Sequence, residues 1–496
     1  MKRTLIILGL LLILQPVLPH FRARYHVVVD TDGGIDDFRA ICMMLASPQI
    51  EIIAITATDG LLDPELTVQK VRSMLEGFGH QGIQVGLGKS HSVKPGSPSG
   101  PAWNEGASRM AGQLDWSSRG AASSSAAPPG AVELILESID LEEMPVDIVA
   151  LGPLNNLSNV FREKADTPGR IRKVYWQNRP GNNKDFNYAF NPAAADKVLE
   201  SGCSIDRVHT GEGASIDLDA FLVGLDTLSS RYAAAISKLY SNAPPDFSRH
   251  FMAKGLADDC IPLFLLYPQY FSLTCLEENT KLCTAEALPY TPLAEKMLEM
   301  LDSDREDKSI IFSRFPTDTT LFEKDVAKLA PGIIKKHGIK EWKIVVLTNE
   351  FHEHLGIYSI LGAKMGLRAR EYFNVGIDEL QIITYAGSHP PVSCMNDGLQ
   401  VSTGATMGHG TIRLGEGQTS PKARFSFKNR VIEISIKKEV REKIRKDVGQ
   451  AVKVYGLESQ EYWVHIRKLA LEYWLDLSRY EIFNIQEAAF TELSSR

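Results

Sequence analysis

Two near-continuous apolar runs bracket a helical stretch close to the start of this chain, and no other pattern in the sequence restricts the fold as much. His26-Val-Val-Val29 ends in a cluster of Asp and Gly. Phe38, Ile41, Met44 and Leu45 then recur at helical spacing until Ser47-Pro48, and Ile50-Glu-Ile-Ile-Ala-Ile-Thr56 follows. Strands that are apolar on both faces need helices on both sides, which is the condition of a parallel sheet. The expected class is therefore α/β, a mostly parallel open sheet with helices on both faces. Val146–Leu151 before Gly-Pro, and Lys173–Trp176 before a Gly/Asn loop, repeat the theme. Ligands in such sheets bind at the carboxyl ends of the strands.

A chain of 496 residues is too long for one core. The charged stretch Asp302–Lys308 and the punctuation at Pro331-Gly332 and His337-Gly338 set a boundary between a first domain over residues 25–330 and a second over 340–496. In the second, Trp342–Leu347, Leu380–Tyr385, Ala423–Asn429 and Val431–Ile436 read as strands, with helices at 438–454 and 459–478. This is a smaller α+β domain, expected to fold by itself. Ser117–Gly130 is a small-residue loop with nothing to bury.

With net charge −7 there is no basic field to gather phosphates, so nucleic acid is excluded as a partner. Lys2 and Arg3 precede the apolar run Leu5–Leu14, which is shorter than the roughly 20 residues a spanning helix needs. Residues 1–24 therefore read as a signal peptide or N-terminal anchor, and the protein as exported, periplasmic or secreted, touching a membrane only through an uncleaved N-terminus. Six cysteines do not staple a fold of this size; Cys275 and Cys283 either close a short loop in an exported chain or stay as two buried thiols.

Asp30-Thr-Asp-Gly-Gly-Ile-Asp-Asp37 places four carboxylates at a strand end and a helix start. A solvated acidic loop is the plain reading. Carboxylates that converge repel one another, however, and a hard cation among them is the economical alternative.

This stretch resembles the opening motif of the inosine-uridine-preferring nucleoside hydrolase family, Asp-Thr-Asp-Pro-Gly-x-Asp-Asp. Gly152-Pro-Leu-Asn-Asn-Leu157, Asp185-Phe-Asn187 with Asn191-Pro-Ala-Ala194, and Ala257-Asp-Asp-Cys-Ile-Pro-Leu263 resemble its later motifs in the same order. The resemblance implies calcium-dependent hydrolysis of the N-glycosidic bond of a riboside, a small-molecule partner. Asp32, Asp37, the main-chain carbonyl of Asn155 and Asp258 would hold Ca2+, and Asp32 would activate a metal-bound water. Asp36, Asn182, Asp185 and Asn187 would bind the ribose hydroxyls. This chain departs from the family at Gly33 for Pro, at Leu61 where a ribose-contacting amide belongs, at Ala257 for a His that assists the leaving base, and at Asp185 for Glu. A non-catalytic ribosyl- and metal-binding protein is the alternative. Val27–Gly33 also resembles the nucleophile motif of haloacid-dehalogenase phosphatases, a weaker match because the later motifs fit nucleoside hydrolases. Assembly is left open, a homo-oligomer included.

Phe351–Gly366 and Ser393–Gly408 resemble the E-like domains of formylmethanofuran dehydrogenase. Gly356 and Ala405 stand where two of that family's cysteines belong, leaving His352, His354, Cys394 and His409 as ligands for Zn2+ or another transition metal, against the plainer reading of a packed His pair.

Overall fold

The computed structural model describes residues 23–90, 127–181, 185–211, 216–241, 256–289, 291–302, 311–457 and 459–488. The segment read as a signal or anchor, apart from its last two residues, most of the Ser117–Gly130 loop, and Asn182 lie outside the described residues.

The first sheet has eight strands: β1 (Tyr25–Thr31), β2 (Ile50–Ala57), β3 (Gln84–Leu87), β4 (Val146–Ala150), β5 (Ile171–Gln177), β6 (Ile205–His209), β7 (Phe271–Cys275) and β8 (Leu282–Ala287). Their order is β3-β2-β1-β4-β5-β6-β8-β7, parallel throughout except for β7 against β8. β1 shows why it is apolar on both faces. Val27 and Val29 enter one core cluster, with the helices Ile35–Ala46 and Pro64–Phe78, and Val28 enters the other, with the helices Ala131–Leu141 and Asn155–Glu163. Alternate side chains thus meet opposite helical layers. Cys275 and Cys283 face each other across the β7/β8 hairpin as a disulfide, which decides between the two readings of that pair.

A second sheet is formed by β9 (Gln381–Thr384), β10 (Ile412–Leu414), β11 (Lys422–Phe427), β12 (Arg430–Ile436) and β13 (Phe483–Ala488), in the order β10-β9-β11-β12-β13. Helices Lys324–Phe351, Ile357–Phe373, Lys438–Tyr455 and Gln460–Asp476 share its core. The expected strand at Trp342–Leu347 is instead part of the first of these helices. Its β-branched run suggested extended chain, but beyond a break at Gly338, at φ +85°, the buried positions Glu341, Val345 and Thr348, with Trp342 and Asn349 beside them, fall at helical spacing, and packing of that face overrides local propensity. Ala330 and Ile333 belong to this second core.

The two units are joined by buried polar groups. His80 Nδ1 lies 2.5 Å from the Glu371 carbonyl, Gly82 donates its N–H to Tyr372 O at 2.8 Å, and Arg231 Nη2 meets Glu371 Oε1 at 2.6 Å. Lys428 inserts between Glu51 and Glu142. Among the described residues, no helix is long and apolar enough to cross a membrane.

Candidate active site

The carboxylates gather at the carboxyl end of β1, in the position the parallel sheet favours. The chain leaves β1 through Gly33, at φ +82°, a backbone state glycine reaches freely and proline cannot, so Gly33 in place of proline gives this loop its own path. The helix then starts at Ile35, which puts Asp36 and Asp37 in its first turn, where the helix dipole favours negative charge. Asp258 arrives from the loop before the helix Cys260–Leu266. One carboxylate oxygen from each of Asp36, Asp37 and Asp258 lies within 4.8 Å of the others.

Asp37 Oδ1 accepts from Thr31 Oγ1 at 2.5 Å and from the Asp32 N–H at 3.2 Å, so its orientation is fixed by the end of the strand. Asp32 is buried, and its Oδ2 accepts from the Leu61 N–H at 3.1 Å. Leu61 therefore serves this site through its main chain. Gly60 and Gly152 give Asp32 its room: a Cβ on Gly60 would collide with the Asp32 carboxylate, and one on Gly152 would lie 2.9 Å from Asp32 Cβ. Burial and then the neighbouring Asp37 raise both Asp32 and Asp258 well above the usual carboxylate range, and push Asp36 up to about 7. Asp258 Oδ1 is buried with no hydrogen-bond partner. A set of converging, desolvated oxygens with an orphaned acceptor suits a hard cation.

Asn155 opens the helix Asn155–Glu163, its side chain donating to Asp59 O at 3.0 Å and accepting from Asn191 at 2.7 Å. Asp185 and Asn187 stand at the carboxyl end of the sheet but have structural partners. Asp185 accepts from Asn178 at 2.8 Å, from the Arg179 N–H at 3.1 Å and from the Tyr188 N–H at 3.3 Å as a helix cap. Asn187 donates to Leu151 O at 2.8 Å and to Gln177 O at 3.0 Å.

Three supporting contacts escaped the sequence reading. Arg39 and Asp259 pair in the interior, with Nε to Oδ1 at 3.0 Å, and Arg39 also donates to Tyr240 OH at 3.0 Å. Asn156 donates to Asp30 at 2.8 Å. Arg39 is the one basic residue of its helix, but its local spacing points to Asp36, three residues before it, and not to Asp259.

In the second unit His352, His354 and Cys394 line one cleft, whereas His409 stands apart, 3.3 Å from Asp378. Among the described residues, the three cleft side chains do not bring their ligand atoms within 4.8 Å of one another as a set.

The model of the inosine-uridine preferring nucleoside hydrolases matches residues 27–282, just over half of the chain. The chain belongs to the nucleoside hydrolase family. These are N-glycosyl hydrolases, and the match covers every carboxylate of the cluster. A second model, FmdE of the molybdenum formylmethanofuran dehydrogenase operon, matches residues 351–477. The pyrimidine-specific ribonucleoside hydrolase RihA of Salmonella agona is 27% identical over 261 residues, covering 50% of this chain and 81% of that protein. The probable uridine nucleosidase 1 of Oryza sativa is 24% identical over 282 residues, covering 53% of this chain and 85% of that protein. The solved purine-preferring ribonucleoside hydrolase from Gardnerella vaginalis superposes with a TM-score of 0.47 at 19% identity, covering 56% of this chain and 98% of that one. Against the nucleoside hydrolase pattern, Ala257 contributes its carbonyl to Cys260 Sγ at 2.6 Å and has no side chain to offer a leaving base.

Proposed function

We propose that the nucleoside hydrolase unit, built on the first sheet and its helices, cleaves the N-glycosidic bond of a ribonucleoside or related riboside in a calcium-dependent reaction, releasing free base and ribose. The observation that carries this reading is the convergence of Asp36, Asp37 and Asp258 beside buried Asp32, with Asp258 Oδ1 unsatisfied. Asp32, Asp37, Asp258 and the Asn155 carbonyl are the oxygen ligands, a donor set that fits Ca2+. Bound calcium supplies positive charge that offsets these carboxylates and makes a water easier to deprotonate. Asp32 accepts the proton of the attacking water, and the surrounding carboxylates stabilise the positive charge that develops on the ribosyl ring as the base leaves. Asp36, Asn182, Asp185 and Asn187 orient the ribose hydroxyls.

Three observations favour the second reading, a non-catalytic ribosyl- and metal-binding protein. The Asp185 carboxylate is occupied as a helix cap, Asn187 is held by main-chain carbonyls, and no side chain at Ala257 protonates a leaving base. Assay of purine and pyrimidine nucleosides and nitrophenyl riboside separates the two. Relatives named for pyrimidine ribonucleosides and uridine make those the first substrates to try. Release of base and ribose that falls by about 10²–10⁴-fold in Asp32→Asn is expected for a lost general base. Calcium binding with no release from any riboside supports the second reading instead.

We also propose that the chain is exported by residues 1–24. The Cys275–Cys283 disulfide supports an oxidising compartment. Mass spectrometry of the native cell fractions tests it; a cytoplasmic protein that begins at Met1 contradicts it.

A further inference from the structure

A second group of carboxylates lies at the amino ends of the strands, away from the aspartates at their carboxyl ends. His26 of β1 is in register with Glu51 of β2, and Glu142 caps the carboxyl end of the helix Ala131–Leu141, which packs on the face that Val28 enters. One ligand atom from each of His26, Glu51 and Glu142 lies within 4.8 Å of the others. A helix carboxyl end is itself negative, so it disfavours a carboxylate that has no cation beside it.

Lys428, from the turn between β11 and β12, meets Glu51 Oε1 and Glu142 Oε2 and offsets one of the two charges. The other oxygen of each glutamate turns to His26, whose Nδ1 lies 3.3 Å from Glu51 Oε2 and 3.4 Å from Glu142 Oε1. Glu142 Oε1 also accepts from the Met144 N–H at 3.2 Å, which fixes its direction. In the full chain His26 Nε2 lies 3.1 Å from the Ala23 carbonyl, which only accepts, so Nε2 carries a proton and Nδ1 is the atom that the carboxylates face.

His26 is only 4% exposed, and among the described residues its Nδ1 makes no hydrogen bond. A protonated Nδ1 would draw one carboxylate to the about 2.7–2.9 Å of a charge-assisted hydrogen bond, and neither comes that close. The spacing suits a metal better. Nitrogen and oxygen ligands about 2.0–2.2 Å from a tetrahedral zinc stand roughly 3.3–3.6 Å from one another, and both separations from Nδ1 match. A cavity of about 60 Å³ lined by Glu51, Glu142 and Lys428 has room for the water that a zinc with three protein ligands keeps as its fourth.

We propose that His26 Nδ1, Glu51 and Glu142 bind a divalent transition-metal ion, Zn2+ by donor type, with Lys428 orienting the two carboxylates. The ion joins β1, β2 and the helix Ala131–Leu141 and, through Lys428, braces the second unit against them. It is separate from the calcium site proposed above, and neither depends on the other.

Equilibrium dialysis of the chelator-stripped full chain against Zn2+, with calcium saturating, tests the proposal. One tightly held zinc is expected. His26→Gln should weaken it by about 100-fold or more, since even groups that only orient a metal ligand are worth about 10–100-fold. Glu51→Gln, at the most exposed of the three side chains, should weaken it as well, whereas His352→Gln should not. Zinc should raise the melting temperature of the parent protein and leave that of His26→Gln unmoved. X-ray absorption at the zinc edge, which needs no variant, should show one imidazole, oxygen neighbours and no sulfur. No tight zinc, zinc held equally by His26→Gln and Glu51→Gln, or a shell with sulfur or two imidazoles would overturn the proposal.

Discussion

Arg39 and Asp259 form an ion pair in the interior of the first unit, with Nε and Oδ1 3.0 Å apart, and this pair ties the helix that carries Asp36 and Asp37 to the loop that carries Asp258. Asp258 and Asp259 are neighbours in sequence with opposite tasks: one turns to the carboxylate cluster, the other anchors the loop that presents it. A buried pair contributes little net stability when intact, but breaking it strands a charge.

Arg39→Met should therefore destabilise the protein by about 3–5 kcal/mol, because Asp259 is left buried and unpaired. Arg39→Met with Asp259→Leu should recover most of that loss, which urea unfolding in chelator measures. A loss below about 1 kcal/mol in the single variant, a size typical of an exposed pair, would show that Arg39 does not hold the loop.

Asp30 gives the calcium-free protein a specific pH dependence. Burial pushes its carboxyl up to about 7, against the hydrogen bonds from Thr56 and Asn156 that favour the charged form. An acid raised on folding stabilises the native state below its unfolded value near 3.9, and that contribution is lost as pH rises through the folded value. Stability in chelator should fall by about 1.4 kcal/mol per pH unit from this group between about pH 4 and 7. Asp30→Asn should flatten the slope by that amount. An unchanged slope in denaturant titrations at pH 5 and pH 7 would remove Asp30 from the account.

Glu371 joins the two units, accepting from Arg231 of the first at 2.6 Å and from Arg479 of the second at 2.8 Å. Burial alone would raise its carboxyl, but the guanidinium groups of Arg479 and Arg231 outweigh burial and hold it well below the usual range. Its stabilisation is thus present above the unfolded value near 4.3 and is lost as pH falls. Glu371→Gln should cost about 3–5 kcal/mol and split a single calorimetric transition of the full chain into two. One unshifted transition would mean that the units are held together elsewhere.

The parallel sheet was legible because β1 and β2 are apolar at successive positions, and the site because four aspartates follow β1 directly. What stayed hidden depended on partners distant in sequence. Trp342–Leu347 looks extended until Glu341, Val345 and Thr348 are seen to share one buried helical face. Arg39 finds Asp259 some 220 residues away, and a local pattern carries no trace of that pairing. Asp185 stood out by its motif alone; its oxygens accept from Asn178 and from the Arg179 and Tyr188 N–H groups, partners that the motif does not reveal.

Calcium-dependent riboside cleavage is tested by the initial rate of base release from uridine and inosine by the chelator-stripped full chain as free calcium is restored. No release is expected without calcium, saturable recovery as calcium is added, and no recovery in Asp37→Ala, whose carboxylate belongs to the cluster. Release that proceeds at the same rate in chelator, or that Asp37→Ala retains in full, would contradict it.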